Sequence, residues 1–155
     1  MQIIIRQAGT GDADQIRFLF RDTVAYINSA DYNQDEINVW SEGYKNTEGW
    51  KRKIKEQYFI VAESKDMIVG FSSIAGDGYL DFMYVHKDFQ RNGIAKCLLA
   101  EIESHAKSSG MKLIFSNVSR TAEKFFGKNG FVKTGENINV VKGIKFVNSV
   151  MSKII

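Results

Sequence analysis

The chain has 155 residues, 44% of them hydrophobic and 25% charged, with a formal net charge of +3. That length and balance suit one globular domain with a buried core, and the charge is too mild to argue for a nucleic-acid partner. No apolar run approaches the roughly 20 residues that cross a bilayer, and the opening Ile3, Ile4 and Ile5 are too short a run for a secretory signal. Cys97 is the single cysteine, so no internal disulfide forms and a reducing compartment is expected. The cytoplasm is the expected location. Proline is absent and no repeat or low-complexity tract interrupts the sequence, which predicts a single domain over 1–155.

In chain order, residues 3–6 predict a short strand. Thr10, Gly11 and Asp12 offer helix-starting chemistry, and Ile16, Leu19, Phe20, Val24 and Ile27 recur at helical spacing. A shorter helix is predicted over 35–40 and another up to Lys55, where Lys51, Arg52, Lys53 and Lys55 read as a solvated basic face. Stretches 58–63, 68–75 and 79–85 are rich in β-branched and aromatic residues and predict strands separated by short polar breaks. Ile94, Leu98, Ile102 and Ala106 form a helical stripe ending near Gly110, followed by a strand over 112–116. Ala122, Phe125 and Phe126 give a short helix closed by Gly130. Two last strands, 131–141 and 144–151, hinge at Lys142 and Gly143. The order predicts a mixed α+β fold whose central sheet is mostly antiparallel, with one parallel strand pair, flanked by helices.

The strongest local signal is the segment from Gln90 to Lys96, directly after an apolar strand and opening the helix at Ile94. A glycine loop at a helix N-terminus points several free N–H groups at one spot, and the helix dipole adds to them. The result suits a pyrophosphate. Gly93 permits close approach of a ligand, and Arg91, Lys96 and Lys87 supply positive charge. There is no Gly-x-x-x-x-Gly-Lys loop, and Gly76 and Gly78 precede a strand rather than a helix, which argues against a P-loop and a dinucleotide fingerprint. His86 and His105 lack partners at metal spacing, so no metal is expected. Cys97, one turn into the helix, reads as a small buried residue.

Gln90-x-x-Gly93-x-Ala95 resembles the Gln/Arg-x-x-Gly-x-Gly/Ala motif of the GNAT superfamily of acyl-CoA-dependent N-acetyltransferases. Ser119-x-x-Ala122-x-x-Phe125-Phe126-x-x-x-Gly130-Phe131 resembles that family's second signature. Asp31, Tyr32 and Trp40 early, and Gly143, Asn148, Met151 and Lys153 late, are similar to one bacterial subgroup. The resemblance implies a GNAT-like fold and acetyl-CoA as cofactor. It implies a main chain at Met83, Tyr84 and Val85 that pairs with the pantetheine arm. Gln90, Arg91, Asn92, Gly93, Ile94, Ala95 and Lys96 would hold the pyrophosphate, Ser119 would contact the cofactor's flank, and Phe126 would lie near the thiol. It also implies a small-molecule or peptide amine as acceptor, and a homodimer as one assembly.

Where many relatives place a tyrosine acid this sequence has Phe126, and where some place a glutamate base it has Ile114. The expected base is therefore Asp81, acting directly or through water, with Tyr84 and Tyr79 as further candidates. The acceptor pocket is expected at Tyr26, Tyr32 and Trp40. Asp22, Asp31, Asp35, Glu36 and Glu42, in a stretch with no lysine or arginine until Lys45, suggest a cationic amine. Two other readings stay open: an acyl-CoA-binding or sensing domain without turnover, and a partner-binding module that shares only the fold.

Overall fold

A computed structural model describes residues 1–155. It orders β1 (Ile4–Gln7), α1 (Ala13–Tyr26), α2 (Gln34–Ser41), α3 (Thr47–Glu56), β2 (Tyr58–Ser64), β3 (Met67–Ile74) and β4 (Leu80–Val85) in the first half. The second half carries α4 (Ile94–Ser108), β5 (Leu113–Val118), α5 (Glu123–Lys128), β6 (Val132–Val141) and β7 (Ile144–Ile154). These elements follow the predicted order, with boundaries moved by one to three residues.

Two antiparallel sheets result, β1-β2-β3-β4 and β5-β7-β6. The predicted parallel pair, β4 with β5, shrinks to a single bridge between Tyr79 and Phe115. Beyond it the strands diverge. The tight β2–β3 and β6–β7 turns run through left-handed residues, Lys65 with Asp66 and Lys142 with Gly143, which match the twist of a hairpin.

The first sheet is buried on both faces, because its strands alternate between two apolar clusters. Phe59, Val61 and Phe71 face α1–α3, together with Ile16, Phe20, Val24, Trp50 and Ile54. Ile60, Ala62, Val69 and Leu80 face α4, together with Leu98, Ile102, Ile114 and Phe126. Helix α4 lies close on β3. A Cβ built on Gly70 would stand 2.9 Å from the Ile94 Cγ2 and 3.1 Å from the Leu98 Cδ1.

At the other edge the Arg6 guanidinium joins β1, the start of α1 and β2. It donates to both Asp12 oxygens at 2.9 Å and to Glu63 at 2.6 and 2.9 Å. These charge-assisted bonds hold the Asp12 carboxyl below its ordinary value, with desolvation opposing them.

Two outcomes are expected. Gly70→Ala should cost about 1–3 kcal/mol in urea unfolding, because the added methyl forces α4 off β3; an unchanged midpoint would show that the helix can shift freely. The depressed Asp12 carboxyl contributes stability above its unfolded pKa of about 3.9, and that contribution is lost as pH falls through the lower folded value. Asp12→Asn should therefore lower the urea midpoint near pH 7 and lose that effect progressively below about pH 4.

Candidate functional site

The divergence of β4 from β5 opens a cleft of about 1130 Å³. That exceeds the roughly 300–1000 Å³ of an ordinary single-ligand pocket. Two interactions fix its root. The Phe115 N–H bonds the Gly78 carbonyl at 3.1 Å, and the Ser116 hydroxyl donates to the Leu80 carbonyl at 2.7 Å. Past Leu80 the register slips: Ile74 faces Leu80 but Ser73 faces Phe82, so Asp81 is the bulged residue.

The bulge also sets which main-chain groups face the cleft. The His86 N–H bonds the Val69 carbonyl at 2.8 Å, and Tyr84 and Phe82 stand opposite Phe71 and Ser73. By the alternation of antiparallel pairs, those residues bond to β3. The N–H and C=O groups of Met83 and Val85 therefore point towards the cleft. The Val85 carbonyl is taken by the Thr23 hydroxyl at 3.0 Å and by the Gln90 amide at 2.7 Å.

Gln90 thus braces the loop through its side chain, and Asn92 does the same by donating to the Phe89 and Gln90 carbonyls at 3.1 and 3.2 Å. Asn92 alone among the predicted loop residues does not line the cleft. Arg91 and Gly93 both take left-handed conformations, with φ of 60° and 76°. A Cβ at Gly93 would meet nothing within 4 Å, so the space before the helix is open. This loop and the first turn of α4 form a nest of N–H groups facing the cleft.

Arg91 and Lys96 line the cleft, and so do Lys124 and Lys128, one turn apart on α5. None of the four takes part in an ion pair. The α5 lysines were missed in the sequence, although their spacing of four on a predicted helix was readable. Lys87 is instead spent on Asp88 at 3.4 Å and on the Tyr26 ring at 4.8 Å, and it does not line the cleft.

Ser119 caps the start of α5 by accepting the Ala122 N–H at 3.2 Å. Phe126 is buried in the core beneath the cleft, against Phe131, and Ile114 is fully buried. Cys97 is exposed rather than buried, because it falls off the Ile94–Leu98–Ile102 stripe of α4.

Tyr26, Tyr32, Trp40, Tyr84 and Asp81 also line the cleft, and so do Asn28, Phe146 and Asn148. Asp81 is more tightly engaged than a free base. Its Oδ2 accepts from the Lys53 Nζ and the Gln57 Nε2, both at 2.8 Å, while its Oδ1 takes no hydrogen bond. The Tyr84 ring packs on Phe20 and Phe71, and burial pushes its phenol well above the ordinary value, with the Trp40 side chain opposing. Burial and the Asp81 charge also raise the Tyr79 phenol.

The acidic run does not face this chamber. Asp81 is the only carboxylate on the cleft wall. Asp31 accepts from the Thr121 hydroxyl at 2.8 Å, and Glu36 holds Arg120 at 3.5 Å. Glu42 pairs with Lys142, Asp22 with Arg21, and Asp35 lies exposed in the first turn of α2. The expectation of carboxylates around the acceptor is thereby corrected: the run ties α2 and its flanking turns to the far side of the cleft.

A polyanion cradle beside an aromatic chamber is the layout of a protein that brings two ligands together. The Acetyltransferase (GNAT) domain model matches residues 28–153, and the chain belongs to that family. Over 149 residues it is 28% identical to the uncharacterized N-acetyltransferase YafP of Escherichia coli K12, covering 96% of this chain and 94% of that protein. Two solved structures share the fold at 22% identity. One is a GCN5-related N-acetyltransferase of Rhodopseudomonas palustris, with a TM-score of 0.96 over 100% of this chain and 97% of the other. The second, PaiA N-acetyltransferase of Thermoplasma acidophilum in complex with coenzyme A, has a TM-score of 0.80 over 100% of both chains. No helix is long and apolar enough to cross a membrane.

Proposed function

We propose that the chain transfers an acetyl group from acetyl-CoA to a primary amine by direct attack on the thioester. The observation that carries this reading is the unpaired positive charge in the cleft. Four free cations line it, and a nest of N–H groups borders the open space before Gly93, which suits the phosphates of coenzyme A. The complex of coenzyme A with the Thermoplasma relative supports the same choice. Acetyl-CoA would supply the activated acyl group. The Met83 N–H and C=O, turned to the cleft and unused by β3, are free to bond an extended amide-bearing chain, and the same strand offers N–H donors to a carbonyl oxygen.

The chain's own residues also bear on the protons. Asp81 lines the cleft and keeps Oδ1 free of hydrogen bonds while Lys53 and Gln57 fix Oδ2, so the carboxylate is oriented as well as charged. It serves as acceptor of the amine's proton, directly or through water. Burial raises the Tyr84 phenol and makes it a poor acid, so the thiolate leaves unassisted, which the ordinary thiol pKa of about 8.5 permits. Ile114 and Phe126 offer neither role, which is the specific observation favouring a second reading, an acyl-CoA sensor without turnover. Release of free thiol in the presence of amines separates the two.

The first test is a thermal-shift titration with acetyl-CoA. The wild type should show a rise in melting temperature that grows with ligand concentration. Gly93→Glu should abolish it, because it places a carboxylate in the open space of the cradle. No rise in the wild type would remove the cofactor assignment. Asp81→Asn should lower kcat about 100-fold while leaving the acetyl-CoA-induced rise intact; an unchanged pH–rate profile would reject Asp81 as the base.

A further inference from the structure

The chamber opposite the cradle carries a chemical preference that the fold does not dictate. A site for a polyamine or a lysine-rich peptide needs several free carboxylates, since each desolvated ammonium needs its own compensation. This chamber has none to spare. Its single carboxylate, Asp81, already holds Lys53.

Two of the tyrosine rings already carry the protein's own cations. The Arg120 guanidinium lies 4.2 Å over the Tyr32 ring, and the Lys87 Nζ lies 4.8 Å over Tyr26. Tyr32 is further committed, because its hydroxyl accepts the Arg120 N–H at 2.9 Å across the cleft. What remains as free wall is apolar: Ile27, Val39, Trp40, Val141 and Phe146.

One polar group stands out in that wall. Asn28, in the turn after α1, is only 5% exposed and lines the cleft. Its carboxamide makes no hydrogen bond within the protein, and its polar atoms stay open to solvent. Water can satisfy this group, and a ligand that displaces the water gains most if it replaces those hydrogen bonds. A neutral carboxamide offers one donor side and one acceptor side, which fits a hydroxyl or an amide rather than a second ammonium.

We propose that the acceptor is a small monoamine: one amine on an apolar or aromatic body that also bears a neutral hydrogen-bonding group, read by Asn28. Polyamines and basic peptides are poor acceptors. The inference rests on the acetyl-transfer reading above, and it assigns Asn28 the role of a specificity-determining residue.

The test compares thiol release from acetyl-CoA with tyramine, 2-phenylethylamine, spermidine and a lysine-rich peptide, alongside the acetyl-CoA thermal shift. Tyramine should have the highest kcat/KM, with spermidine and the peptide at least about tenfold lower. Asn28→Ala should raise the KM for tyramine about 3- to 10-fold, leave that for 2-phenylethylamine unchanged, and spare kcat and the acetyl-CoA shift. Asn28→Asp, nearly the same shape, should instead favour spermidine relative to wild type, which guards against a mere folding defect in the alanine variant. Three results overturn the proposal while sparing the cradle: a preference for spermidine or the peptide, a tyramine KM indifferent to Asn28, or an acetyl-CoA shift with no turnover of the monoamines. Absence of the acetyl-CoA shift in the wild type overturns the acetyl-transfer reading and this inference with it.

Discussion

Tyr79 and Phe115 form the last point at which β4 and β5 touch as paired strands, and the rest of the molecule is arranged around their separation. A strand edge left unpaired in a folded core normally carries a penalty, because each buried N–H and C=O must find a partner. Here the penalty is partly met by side chains: Ser116 takes the Leu80 carbonyl, while Thr23 and Gln90 take that of Val85. Met83, between them, keeps its outward main-chain groups. The bulge at Asp81 makes this workable, since it lets Leu80 stay in the α4 core while Phe82 turns to stack on Trp50 at 4.8 Å. One extra residue in β4 therefore sets both the direction of the strand edge and the position of the carboxylate.

The cleft is closed at its root and is also tied across its mouth. Tyr32 to Arg120, Asp31 to Thr121 and Glu42 to Lys142 link the α1–α2 segment and its following turn to the β5–α5 loop and the β6–β7 turn. Exposed pairs of this kind contribute little each to stability. Their effect is geometric. They hold the first helices over the second sheet, so the chamber has a roof although its two halves belong to different sheets.

Much of this was legible in the sequence because it depends on local periodicity and turn chemistry. The helical stripe from Ile94 to Ala106, the hairpin at Lys142 and Gly143, and the glycine loop after Val85 all carry their signal within a few residues. The misreadings share a different cause. The use of the acidic run and the burial of Cys97 depend on which elements end up opposite one another. Asp31, Glu36 and Glu42 looked like a binding surface because their partners Thr121, Arg120 and Lys142 lie 84 to 100 residues away. Lys53 read as part of a solvated basic face, yet it reaches across 28 residues to Asp81. Nothing in the local sequence marked Asn28, which only the fold brings to the cleft wall.

Charge in the cleft is unequally distributed, and the inequality has a chemical rationale. At the cradle, cations are left unpaired, which costs little near solvent and favours a polyanion. At the chamber, carboxylates are kept away or paired. An amine attacks only as the free base, and neighbouring carboxylates would stabilise its protonated form and raise a pKa that starts near 10.4 for a lysine-like group. A wall of Ile27, Val39, Trp40 and Phe146 does the opposite, since poor solvation of the ammonium favours loss of the proton. On the acetyl-transfer reading, one oriented carboxylate already paired with Lys53 would be enough to accept that proton without holding the amine as a bound cation. By this argument, binding a cation tightly and making it nucleophilic are opposed demands, and the chamber's composition favours the second.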